Sequence, residues 1–369
     1  MMRKLTALIA GALLASSLLF GSVRRVKVPQ EGVAPDVAVG PSGEVYLVFA
    51  QAKNAFFSFS QDDGRTFSPP VRINTAPDTI LGAHERGPKI AVGKKRTLHV
   101  VWMDNRNTQL EYSRRAPGSN TFSQPRNLLD TATHFDEATV AADNKGNVLV
   151  SWLDARLPDD PRNPVSLPVF LARSADNGLS FAKDRPLREN PLLRAYSCCA
   201  LKSFAGSDGR FYLAFRGGYN NIRDMFLVST LMGSDNSGTT VEKIQDDEWR
   251  FEGCPMSGPS LAPASRPSEV WVAWMSKGRV YFAQSTDAGK HFGEAHTPRS
   301  DKPDIENHPL VLLNKKSEVF LAWEEGQTIR WQITNRTGEV LDSGEAGTLT
   351  SNSKATGFVD REGNFCLVF

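Results

Sequence analysis

The chain has 369 residues, 40% hydrophobic and 23% charged, proportions of a folded globular protein and not of a disordered one. Lys and Arg number 43 against 41 Asp and Glu, a formal charge of +2; Arg3 and Lys4 stand at the very start, so the rest of the chain is neutral and offers no field for gathering nucleic acid or an acidic membrane. The 29 Gly and 22 Pro are scattered throughout, which implies many turns in place of long helices.

Arg3 and Lys4 precede an apolar run from Leu5 to Phe20. As a helix this run is about 24 Å long, short of a hydrocarbon core of about 30 Å. Small residues follow at Gly21 and Ser22, the pattern of a secretory signal. Residues 1–22 are therefore expected to be a signal peptide, and the mature protein to be exported, periplasmic or secreted. No later segment reaches membrane-spanning length.

Residues 23–369 read as a single all-β domain. It opens with a short strand, Val23-Arg-Arg-Val-Lys-Val28, and then two apolar runs split by a polar turn recur along the chain. The pairs are Pro35 to Val39 with Val45 to Phe49, Pro88 to Val92 with Leu98 to Trp102, and Ala138 to Ala142 with Val148 to Trp152. Next come Phe204 with Phe211 to Phe215, and Pro259 to Ala262 with Val270 to Trp274. The last two are Pro309 to Leu313 with Val319 to Trp323, and Gly357 to Val359 with Phe365 to Phe369. Near-continuous apolar runs suit strands buried on both faces.

Three hairpin segments superimpose without gaps: Ser60-Gln-Asp62-Asp-Gly64-Arg-Thr66-Phe67, Ser174-Ala-Asp176-Asn-Gly178-Leu-Ser180-Phe181 and Ser285-Thr-Asp287-Ala-Gly289-Lys-His291-Phe292. In the shared pattern S-x-D-x-G-x-[T/S/H]-F, the Asp can accept backbone N–H groups across a turn and the Gly can take positive φ. Worn copies begin at Ser113, Ser229 and Thr334, giving successive spacings of 53, 61, 55, 56 and 49 residues. Such a period, with several strands per unit, predicts a β-propeller of six or seven blades, mostly of four antiparallel strands. Seven inner pairs stand against six hairpins. The strand from Val23 to Val28 is expected to join the last pair in an incomplete seventh blade, which leaves no free edge.

The three hairpin segments resemble the Asp boxes of sialidase-like propellers, the bacterial neuraminidase repeat family, and the repeat covers nearly all of residues 23–369. The resemblance implies a structural role for Ser60, Asp62, Gly64, Phe67, Ser174, Asp176, Gly178, Phe181, Ser285, Asp287, Gly289 and Phe292. It also implies six blades, against the seven pairs counted above. A narrower resemblance, carried by Ser197-Cys198-Cys199, Phe215 to Asp224 and Phe251 to Pro259, is to an uncharacterised group of exported bacterial sialidase-like proteins with Cys-x-Cys-Cys and Gly-Cys-Pro segments.

Of the four cysteines, adjacent Cys198 and Cys199 do not suit a bond to each other, because neighbouring side chains in extended chain point apart. One of them bonded to Cys254 is the expected disulfide, and Cys366 reads as a small buried hydrophobe. A soft-metal site of Cys198, Cys199, Cys254 and Met256 is the alternative. The six His show no metal-ligand spacing and read as solvated loop residues, so no metal and no cofactor is expected.

Successive connections in a four-stranded antiparallel blade alternate between its two faces. With the hairpin repeats on one face, the links after inner strands and between blades share the other, and those links carry the charged residues. A sialidase needs arginines for the sugar carboxylate. It also needs an acid, and a tyrosine assisted by a glutamate as nucleophile. The resemblance thus implies Arg86, Arg106, Arg156, Arg216 and Arg223 as the anion site. It implies Asp104, Asp136 or Asp154 as the acid, and Tyr219 or Tyr196 with Glu324 as the nucleophilic pair. The Arg-Ile-Pro motif usual at the first blade is replaced by Gly32-Val-Ala-Pro35. Trp-x-Asp-x-Arg, present at Trp102 and at Trp152, also reads as an Asp–Arg pair that orders a loop. Two functions follow: a propeller that binds a glycan, another anionic small ligand or a protein on its funnel face, or an exo-α-sialidase or related hydrolase of anionic sugars.

Overall fold

A computed structural model describes residues 23–157, 166–187, 193–197, 199–232, 238–299, 304–349 and 354–369. The expected signal segment and Cys198 lie outside them. The described strands form seven radial sheets and a separate two-stranded ribbon, Ser166–Leu167 with Ala195–Tyr196. Blade 1 runs outward through Val33–Val39, Val45–Gln51, Asn54–Ser60 and Val71–Arg72. Blades 2 to 6 repeat this order, each beginning with its innermost strand: Lys89–Val92, Phe135–Ala142, Lys202–Ala205, Ser260–Pro263 and Glu306–Leu313. Blade 5 has three strands in its sheet, and a single bridge from Phe282 to His296 marks its outer edge. The innermost strands touch in a closed circuit that returns through Thr356–Val359 of blade 7 to Val33–Val39.

Period-two alternation builds the core. In Val148–Asp154 of blade 3, Val148, Val150 and Trp152 pack with residues of blade 2, while Leu149 and Leu153 pack with residues of blade 4. Seven hydrophobic clusters result, each wedged between two neighbouring blades. This explains the near-continuous apolar runs, since both sides of the strand face a neighbour.

Closure follows the expected route. Val23–Val26 pairs with Phe365–Val368, which in turn pairs with Thr356–Val359. The new feature is direction, because the N-terminal strand runs parallel to its partner. Parallel pairing delivers the chain to the face where the innermost strand of blade 1 must start, whereas an antiparallel strand would end on the wrong side. Arg24 of that strand donates to the carbonyls of Gly64 (3.2 Å) and Asp63, and Arg361 of blade 7 holds the Asp63 carboxylate through two contacts of 2.8 Å.

The three repeated hairpins share one network. Ser60, Ser174 and Ser285 each donate to the Asp two residues on (2.6, 2.7 and 2.9 Å) and accept the N–H of the following Gly (2.8, 2.9 and 2.9 Å). The Asp then accepts the N–H of Thr66, Ser180 or His291, and contacts the same residue's side chain at 2.6 Å. Slight burial opposes ionisation of Asp176, but the hydrogen bonds from Ser180 and Ser174 pull it down to about 2. Gly64, Gly178 and Gly289 have φ of 73°, 76° and 81°, a region that favours glycine.

Cys199 and Cys366 are free, buried thiols. That removes Cys199 from the expected bridge and leaves Cys198 as the candidate partner of Cys254. No helix among the described residues is long and apolar enough to cross a membrane.

Phe211, fully buried between blades 3 and 4, tests the packing. Phe211→Ala is expected to lower stability by about 3–5 kcal/mol in urea denaturation, while Leu179→Ala, at an exposed turn, changes it by less than about 0.5 kcal/mol. Similar losses for both would contradict this core.

Candidate functional site

The innermost strands begin on the face opposite the repeated hairpins, and four of them are entered through an X-Pro step: Ala34-Pro35, Gly87-Pro88, Gly258-Pro259 and His308-Pro309. Ala34, Glu137 and His308 have positive φ of 49°, 43° and 44°. Strand register shifts at each of these places. Such bulges break the alternation of side chains. Here Glu137 and His308 reach residues from the links ahead of neighbouring blades.

Glu85 occupies the centre of this mouth. It lies on the link into blade 2, is 4% exposed, and accepts the N–H of Ala200 before blade 4 (3.2 Å) and of Gly258 before blade 5 (2.9 Å). Lys354, at the entry to blade 7, pairs with its other oxygen, and Lys89 donates to its backbone carbonyl. Burial opposes its ionisation, but Lys354, His308 and Lys89 hold it down to about 2. A Cβ on Gly258 would stand 2.8 Å from both the Ala200 Cβ and Glu85 Oε2, so this close approach requires glycine. Deeper in, Asp36 accepts the N–H of Ile90 (3.0 Å) and pairs with Lys202 (3.1 Å).

Two further clusters flank Glu85. Arg86 pairs with Glu137 at 2.9 Å and Asp136 at 2.7 Å. Burial and the adjacent Asp136 push the Glu137 carboxyl upward, against the pull of Arg86. His308 places Nδ1 2.7 Å from Glu324 Oε2 and Nε2 2.7 Å from the Met256 carbonyl. Both partners are acceptors, so the geometry selects the doubly protonated imidazolium. Burial opposes that charge, but Glu324 and Glu85 outweigh it and raise the His308 pKa, with Lys354 acting the other way.

The remaining residues expected at the site take varied places. Asp154 is fully buried and accepts from Trp152 Nε1 at 2.8 Å. Arg156 forks onto both Asp154 and Asp184 at 2.7 to 3.0 Å. That is the loop-ordering pair also foreseen for this motif. Asp104 accepts the N–H groups of Thr108 (2.6 Å) and Gln109 (2.8 Å). It shares a pocket of about 430 Å³, between the mouth ends of blades 1 and 2, with exposed Arg106, Asp78 and Glu111. Arg216 is wholly buried and donates to the carbonyls of Ser257 (3.0 Å), Met275 (2.8 Å) and Arg223 (2.9 Å). Arg223 is wholly buried and lies 3.7 Å over the Tyr196 ring; its Nη2 donates to Asn221, while Nε and Nη1 meet no acceptor among the described residues. Tyr219 sits in a short 3-10 turn, Tyr219–Asn221. Glu324 is held by His308, not by a tyrosine.

Sequence reasoning missed the central place of Glu85, its partner Lys354, and Asp184. The X-Pro step is the signal that points to the ring, because it aligns the residues near the start of four of the inner strands. Among the described residues no group of three His, Cys, Asp or Glu side chains is placed to hold a metal ion.

No protein-family model matches the chain, and neither does any curated protein. Among solved structures it is similar to the GH93 α-L-arabinofuranosidase of Fusarium graminearum in complex with arabinobiose, with a TM-score of 0.54 and 11% identity over 86% of this chain and 98% of that one. It is also similar to a PL25 ulvan lyase bound to a GlcA–Rha3S saccharide (TM-score 0.52, 11% identity, 84% and 80% covered). A third is the Hadza microbial sialidase Hz136 (0.50, 15%, 80% and 64%). At these identities the likeness speaks for the fold. The similar structures thus include a glycoside hydrolase, a polysaccharide lyase and a sialidase, and also a prolyl endopeptidase.

The His308 contact sets a pH dependence. Its folded pKa lies above the ordinary 6.5, so its stabilisation is complete below 6.5 and is lost as pH rises through the folded value. Thermal melts are expected to show a decline over that window which His308→Gln removes; an unchanged slope in the variant would contradict the imidazolium assignment.

Proposed function

We propose that the chain is an exported propeller, with residues 1–22 as its signal, that binds a glycan or other anionic small ligand on its mouth face without turning it over. The observation that carries this reading is the commitment of charged side chains to one another. Arg86, Arg156 and Arg216 spend their donors on carboxylates or carbonyls within the chain. Asp104 and Asp154 are occupied by loop hydrogen bonds, and Glu324 by His308. A mouth so arranged is rigid and polar, with few groups released for bond cleavage. The saccharide complexes of the arabinofuranosidase and the lyase support a saccharide as the ligand class.

The second reading, an exo-α-sialidase or related hydrolase, draws on Arg106, which stands exposed in the pocket of about 430 Å³ that also holds Asp104, where a ligand carboxylate can reach its fork. One experiment separates the two: purified protein is offered a panel of fluorogenic sialosides and other anionic glycosides, with binding and dye release followed together. The expected result is saturable binding without release, weakened about tenfold, or about 1.4 kcal/mol, by Arg106→Lys, which keeps the charge and loses the fork. Steady release that Arg106→Lys abolishes and Asp62→Ala preserves would install the hydrolase reading instead.

A further inference from the structure

Away from the mouth, the hairpins to the fourth strands leave a groove between a blade's outer edge and its neighbour. Blades 2, 3 and 5 carry such grooves, of about 380, 530 and 300 Å³. Their charge differs although their architecture is shared. Asp287 and Glu294 line the groove of blade 5 beside Arg336. The groove of blade 2 is lined by Arg114 and Arg126, and that of blade 3 by Arg173, Lys183 and Arg185, with no Asp or Glu among the described lining residues of either. The fold therefore does not demand cations there.

The nearby carboxylates are buried Asp184, whose charge Arg156 answers, and exposed Asp176, which keeps its charge. Asp176 accepts from Ser174 and Ser180, and buried Asp184 is held by Arg156. Arg126 donates to the carbonyls of Gly178 and Leu179 at 2.8 Å each, contacts that fix its position without cancelling its charge. Arg114 Nε is buried with no acceptor among the described residues. Burial, and then the charge of Arg185, press the Arg173 pKa downward. Lys183 and Arg185 are exposed. Because Gly178 and Leu179 line one groove and Ser180 to Lys183 the other, the two meet at a single turn and form one basic strip.

We propose that this strip binds a linear polyanionic polysaccharide, a chain bearing carboxylate or sulfate groups at intervals that lies along both grooves. Guanidinium forks suit such groups, and clustered cations on a neutral body raise the local concentration of a polyanion. Nucleic acid fits less well: Arg126 already covers the rings of Tyr112 and Phe181, which leaves no open aromatic platform for bases. The inference does not rest on the mouth, which opens on the other face.

The test is retention of the full chain on immobilised heparin, with titration by dextran sulfate and polygalacturonate. Binding at low salt that weakens as salt is added is expected. The pair Lys183→Glu/Arg185→Glu is expected to lower affinity at least tenfold, or about 1.4 kcal/mol. Lys183→Gln/Arg185→Gln gives a smaller loss in the same direction, and serves if the first pair does not fold. Lys277→Glu/Lys290→Glu makes the same change in net charge at exposed turns outside the strip and is expected to leave binding intact. Absence of retention, an equal loss in the control pair, or displacement of the polysaccharide by a lower concentration of single-stranded DNA would each overturn the proposal.

Discussion

Ring closure by Val23–Val26 on Phe365–Val368 is the constraint from which the mouth derives. Seven blades bring residues as far apart as Glu85 and Lys354 into contact only if the last blade meets the first. The closing strand does this with its own backbone bonds, with Val26 and Val28 in the cluster between blades 7 and 1, and with Arg24 on the first hairpin. A propeller left open there would expose an unpaired strand edge and lose the register between the inner strands on either side. Parallel pairing completes the design, since the chain must emerge at the mouth before it enters blade 1.

Within that ring, electrostatics are local. A nearly neutral chain nonetheless carries ion pairs at the mouth in which a charge answers one from another blade: Glu85 with Lys354, Arg86 with Glu137, Asp36 with Lys202. Burial makes an unpaired member of such a set costly, so these pairs tie the mouth ends of several blades together. Glu85 is the extreme case, with partners from three other blades on one carboxylate. The bulges at Ala34, Glu137 and His308 belong to the same arrangement, because regular strands would carry their side chains by strict alternation.

The sequence makes the repeating parts legible. The Ser, Asp and Gly of each hairpin are forced by the turn network, and the apolar pairs by burial on both sides. Counting those pairs indicates seven blades, where the family resemblance suggests six, and the structure has seven. The direction of the closing strand depends on which face the chain must reach next and is invisible in Val23 to Val26 alone. The candidate site was legible as a neighbourhood and less so in its contacts. The links did carry the charged side chains to the mouth, but Arg156 met a carboxylate, Asp184, from a position on blade 3's outer edge that no local motif announces. His99 and His308 were read as solvated, yet each lies against a neighbouring element, His99 on Tyr112 and His308 on Glu324. Local sequence encodes turn and strand. Which charges face one another is decided by blade order around the ring.

Hydrogen exchange of the intact protein, followed by mass spectrometry of peptides covering residues 23–28 and 365–369, examines the closure directly. A closed seven-bladed ring predicts that Phe365–Val368, paired on both sides, exchanges as slowly as Val148–Asp154 in the middle of blade 3, and that the amides of Val23–Val26 bonded to it are protected as well. Rapid exchange of both, with blade 3 still protected, would mean that the ends of the chain do not join, and the mouth assembled from distant blades would fall with them.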